Sequence, residues 1–210
     1  MNSPLIFASF TIPAFGAVVR TLYFPAFIGL LGIGFFGYKF ILNSKSMATA
    51  HLVYWAYVAC WGIGIAPMVN RYLGVNPSIV MTAFLSAAGT FGAMSLWGYT
   101  SKKDLSGIGN MAGMALMGLF IAAIVNLVVA MIWGVSSMGM GISMLISAGF
   151  VVFVSILTAW ETQAIKEMYS ASDSAEGTSR KSIFGAFMLF GSFVSIFQNL
   201  LFLMGWASED

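Results

Sequence analysis

The stretch ILTAWETQAIKEMY, residues 156–169, closes a long apolar run with Glu161, Lys166 and Glu167. A carboxylate at the edge of such a run either marks a boundary or works as part of a site. The chain around it decides what kind of boundary is meant. Its 210 residues are 60% hydrophobic and only 8% charged, with a mean hydropathy of +0.92. A soluble domain carries about 25% charged residues, so this chain has too little polar surface to coat a globule in water. It reads as an all-α integral membrane protein.

Other classes fall away on the same inventory. The net charge of +2 and the lack of a basic cluster with interleaved aromatics exclude a nucleic-acid partner. One cysteine, Cys60, permits no internal disulfide and no thiolate metal site. His51 is the single histidine, too few for a zinc or non-haem iron site, and no cofactor is expected.

A spanning helix needs about 20 mostly apolar residues. Six segments reach that length: 22–42, 47–69, 78–99, 108–133, 139–165 and 183–206. Polar breaks separate them, the longest being SASDSAEGTSRKS, and all are too short to be domains. A seventh apolar stretch, residues 5–19, contains Pro13 and is short for a full span. With no positive charge ahead of it, it makes a poor secretory signal and is expected to be a truncated first helix. The expectation is one transmembrane domain, residues 1–210, built as a bundle of six clear helices and a short N-terminal one.

Lys and Arg accumulate on the cytoplasmic side of a membrane protein. Seven crossings that start inside collect Lys39, Lys45, Lys102, Lys103, Lys166, Arg180 and Lys181 in the cytoplasm, against Arg20 and Arg71 outside. The C-terminal GWASED then lies outside the cytoplasm. Gly109 and Gly113 have the GxxxG spacing that lets membrane helices approach closely, and both are expected to face a neighbouring helix.

Polar groups inside a bilayer are the best pointers to function. Ser192, Ser195 and Asn199 fall at i, i+3 and i+7 and share one face of the last helix. Asn126 lies deep in 108–133, and Ser155 and Thr158 precede Glu161 by one or two turns. Interhelical hydrogen bonding explains these residues as well as a hydrated ion pathway does. Glu161 differs because it can ionise. Roughly 30 Å along its helix, it sits near the hydrocarbon edge, where it either snorkels into water or turns inward and responds to pH. A hydrolase would pair Ser143, in GISM, with His51 as base. The serine lacks a following glycine, and no enzyme is expected.

Three motifs, in order along the chain, resemble a known family. WGYTSKKDLSG, residues 97–107, is similar to the GYTTK-DLS signature of the Bax inhibitor-1 family. AWETQAIKEMY, residues 159–169, resembles its aromatic–Asp/Glu–Thr–Gln motif, and MATAHLVYWAY, residues 47–57, resembles the start of its third helix. The resemblance implies seven helices, one central and six around it, and for bacterial members a pH-sensitive calcium leak in the inner membrane. In those members a carboxylate on the sixth helix pairs with an aspartate on the last. Glu161 matches the first position. At the second, LFGSFVSIF, residues 189–197, puts Ser192 where the family has aspartate and Ser195 where it has asparagine.

A serine cannot share a carboxylate's titration, so the two-carboxylate sensor is absent and pH gating is expected to be weakened or altered. Lys39 or Lys45 is the expected counter-charge to Glu161. The serine and the GWASED ending also resemble the YccA-like branch, which implies a different partner, the membrane protease FtsH, as the alternative role.

Overall fold

The structure, a computed structural model, describes residues 13–43, 46–134, 136–170 and 173–208. Among these, all regular structure is helical: α1 (Pro13–Asn43), α2 (Met47–Val75), α3 (Pro77–Thr100), α4 (Ser106–Trp133), α5 (Ser137–Met168) and α6 (Ala175–Trp206). All six are long and apolar enough to cross a membrane. Only helices satisfy every backbone group internally at this length in lipid.

The helix ends depart from the apolar segments in three places. Residues 5–12 of the expected short helix lie outside the described residues. Residues 13–19 do not form a separate helix from 22–42 but belong to the unbroken α1. Between them Arg20 and Thr21 offer no turn signal, and Pro25 is accommodated inside the helix. The segment 47–69 continues to Val75, because Asn70 to Val75 contain no proline and the one glycine, Gly74, falls in the last turn.

The stop comes at Asn76, whose N–H donates to the Tyr72 carbonyl at 2.8 Å while its Oδ1 accepts the Ser78 N–H at 3.0 Å. One residue thus closes α2 and caps α3, and Pro77 takes the first helical position, where a missing N–H costs nothing. The segment 183–206 begins eight residues early, at Ala175. Ser174 Oγ accepts the Gly177 N–H at 3.1 Å, Glu176 sits in the first turn, and Arg180 pairs with Glu176 at 2.6 Å. Cap, dipole and i,i+4 pair together carry the helix into a polar stretch that hydropathy reads as loop.

Contacts gather the chain into two compact units, Met1–Val80 with Ala171–Phe187, and Met81–Ser170 with Met188–Asp210. In the first, α1 lies along α2. Gly29 brings α1 against Cys60, where a Cβ would stand 3.1 Å from Sγ. Gly37 admits the Phe187 ring, which also stacks on Tyr57 with centroids 4.3 Å apart. Lys181 donates to both carboxylate oxygens of Asp173 at 2.7 Å.

In the second unit α4 pairs with α5, and the core forms on Ala87, Val154 and Ile196, with Leu116, Phe150, Phe193, Phe197 and Leu200 packed round them. Phe84 meets Phe193 and Phe197 edge-on at 5.7 and 5.9 Å, and Phe91 meets Phe193 at 5.6 Å. Such contacts matter in lipid, where packing rather than expulsion of water holds helices together. Met114, Met131 and Trp133 on α4 stand exposed, as lipid-facing side chains do.

Candidate functional site

The second unit is tightest around one turn of α5, residues 159–163. Ala159 is fully buried, and a Cβ on Gly98 of α3 would run into its carbonyl. A Cβ on Gly109 of α4 would likewise run into the Trp160 ring. Two glycines from two helices therefore clamp adjacent residues of α5. The motifs at 97–107 and 159–169, sixty residues apart in sequence, pack as one unit.

Glu161 turns inward, with only 7% of its surface exposed. Ser192 of α6, equally buried, donates its hydroxyl to Glu161 Oε2 at 2.6 Å. Among the described residues this is the carboxyl group's only hydrogen bond, and no basic side chain pairs with it. A carboxylate has about four lone-pair sites, so most of its capacity is unused. Gain or loss of a proton changes whether each oxygen donates or accepts, which ties protonation to packing. Among the described residues no three His, Cys, Asp or Glu side chains gather to hold a metal ion. A cation arriving here would meet a single carboxylate.

The other expected residues divide. Thr158, fully buried one turn before Glu161, donates to its own helix at Val154 O, 2.8 Å away, and Ser155 does the same to Val151 O at 2.6 Å. Asn199 donates to Ser195 O within α6 at 2.8 Å, and no side-chain bond joins Ser195 to Glu161. These hydroxyls and amides are satisfied by backbone carbonyls, a known habit of Ser and Thr in membrane helices.

Asn126 serves a different place. It ties α4 to α5 by donating to Gly139 O at 3.2 Å and Ser143 Oγ at 2.7 Å, near the opposite end of α5 from Glu161. Ser143 in turn donates to Gly139 O at 3.0 Å. Of the expected counter-charges, Lys45 lies outside the described residues. Lys39 belongs to the first unit, exposed, with its ammonium 5.9 Å from the Tyr38 ring.

Gln163 escaped the sequence reading. Its Oε1 accepts the Leu105 N–H at 2.8 Å and its Nε2 donates to Lys103 O at 2.9 Å, so one buried amide holds the loop between α3 and α4. Lys166, one turn on, donates to Tyr99 O at 2.9 Å and stands 4.9 Å from the Tyr99 ring. A neutral amide raises no electrostatic alarm. Its signal was its place in the same motif, two residues after Glu161. The glycine pair needs correction as well. Gly109 is clamped, but Gly113 faces open space, and it is Ala112, 2% exposed, that is buried beside it.

A family model described as inhibitor of apoptosis-promoting Bax1 matches residues 4–209. The chain is 35% identical over 160 residues to an uncharacterised protein of Rickettsia prowazekii (strain Madrid E), covering 76% of this chain and 63% of that protein. It is 36% identical over 183 residues to an uncharacterised protein of Deinococcus radiodurans, covering 87% and 74%. It is 34% identical over 170 residues to the inner membrane protein YbhL of Escherichia coli (strain K12), covering 79% and 67%. The chain thus spans under two thirds of the first relative's length and no more than about three quarters of the others'.

Proposed function

The chain belongs to the Bax inhibitor-1 family, and from that premise we propose that it is a bacterial inner-membrane protein that leaks cations, calcium foremost, with an altered pH response. The seven-helix bundle of the family is the architecture this takes, with α1 to α6 as six of its helices. The observation that carries the proposal is Glu161, an ionisable side chain buried inside a membrane helix with one serine as its partner. Such groups are costly in a bilayer and mark pathways or relays. Glu161 is the group that answers to protons or to a competing cation. Ser192 holds it, and Ser195, Thr158 and Asn199 supply polarity along the helices around it, while Asn126 lies near the far end of α5. The role is transport and involves no catalytic residue.

The test is calcium flux through purified protein in liposomes at two pH values. PH-dependent flux supports the leak, and impermeable liposomes at both values reject it. A second reading, modulation of the FtsH protease, is favoured by the serine at position 192 in place of the family's aspartate. Co-purification with FtsH together with impermeable liposomes would put that reading first.

A further inference from the structure

Glu161 and Gln163 are two residues apart on α5, hence about 200° apart around the helix, and each is buried to the same degree. Glu161 engages α6 through Ser192. Gln163 engages the α3–α4 loop with both ends of its amide, at Leu105 N–H and Lys103 O. A helix gripped on opposite faces cannot roll about its axis without breaking one grip or the other. Gly98 against Ala159 and Gly109 against Trp160 remove the slack that would let the turn slide instead. Among the described residues no other side chain of this turn bonds to another element, since the Thr162 hydroxyl is spent on the Thr158 carbonyl of its own helix, and the next tie, Lys166 to Tyr99 O, comes one turn on through a flexible side chain.

We infer that Gln163 is the positioning residue for Glu161: by clasping the α3–α4 loop it sets the rotation of α5 that presents the Glu161 carboxyl to Ser192. The inference rests on Glu161 as the working group of the proposed leak, but its own test needs no flux. The charged groups of this unit that share the described end of α5 are Lys102, Lys103 and Asp104 on the loop and Lys166 and Glu167 on α5. The parts of α3, α4 and α6 packed in the unit carry no charged residue.

The carboxyl band of Glu161 is followed against pH by infrared difference spectroscopy on the full chain, assigned by its loss in Glu161→Gln. Gln163→Met keeps the side-chain volume and removes both bonds to the loop. It should move the midpoint of the band by at least about 0.5 pH unit. Asn126→Val removes an interhelical tie of the same kind at the far end of α5 and should leave the midpoint unmoved. An unmoved midpoint in Gln163→Met, or an equal shift in Asn126→Val, overturns the positioning role. Gln163→Asn, which keeps the amide but falls one methylene short of the loop, carries the same test if Gln163→Met does not fold. A shifted band in a protein whose liposomes stay impermeable refutes the leak and keeps the positioning role.

Discussion

Glu161 was visible in the sequence because bilayers penalise ionisable groups, and its side chain turns inward instead of snorkelling into water. Glu161→Gln preserves the shape and can still accept from Ser192, so the fold should survive while calcium flux in liposomes loses most of its pH dependence. A flux whose pH profile is unchanged would return Glu161 to the role of packing residue. Ser192→Asp restores the family's carboxylate pair, and two such groups within hydrogen-bond reach titrate as a coupled unit. The same assay should then show a steeper pH response than the wild type.

Asp104 behaves differently because it lies in the loop, fully exposed. The Ser106 N–H donated to its Oδ1 at 2.8 Å, helped by the Ser106 hydroxyl, holds its carboxyl below the ordinary value of 3.8. A folded-state value below the unfolded one stabilises above the unfolded value and is lost as pH falls through the folded one. Asp104→Ala should therefore lower the melting temperature in detergent at pH 7. The difference should close as pH falls through the folded-state value, which lies under 3.8. A gap that persists there would mean the loop gains nothing from the charged form.

At the scale of the element, hydropathy located the six helices of the described residues but split α1 in two and misjudged where several of them stop. Apolar length reports on the hydrocarbon, whereas the ends are set by caps that cost the sequence only one residue each, such as Asn76 and Ser174. Glycine spacing was a weaker guide. The GxxxG pattern says that a close approach is allowed but leaves open which glycine makes it. Gly109→Leu has to displace the Trp160 ring and Gly98→Val the Ala159 backbone, whereas Gly113→Leu enters open space. Overpacking costs about 1–3 kcal/mol when side chains can yield, and more when backbone must move. Melting in detergent should therefore rank Gly98→Val as most destabilising, then Gly109→Leu, with Gly113→Leu near the wild type. Equal tolerance at all three would deny that the 97–107 and 159–169 motifs meet through glycine. That meeting could not be read from the motifs separately, because the residues that join them, Gly98 and Gln163, have no chemistry of their own to announce it.

For the whole molecule, charge is informative because there is so little of it. Lys102 and Lys103 lie in the α3–α4 loop, Lys166 in the last turn of α5, and Arg180 and Lys181 in the polar first turns of α6. Six helices that each cross in turn would put these three places on one side of the membrane, with Asn76 and the α4–α5 turn on the other. Arg180 and Lys181 are paired with Glu176 and Asp173, but the rule of orientation counts basic residues rather than net charge, and the pairing does not weaken it. The α3–α4 loop and the start of α6 should face the cytoplasm. Ser174 caps α6 and Ser101 exchanges hydrogen bonds with Lys103, so thiols there would disturb what they report on. Lys102 and Ser179 are exposed and bear no such bond, which makes them the better probes. In a Cys60→Ala background, Lys102→Cys and Ser179→Cys should resist an impermeant thiol reagent in intact cells and react once the membrane is opened. Ready labelling of both in intact cells would invert the topology and place the loop clasped by Gln163 outside.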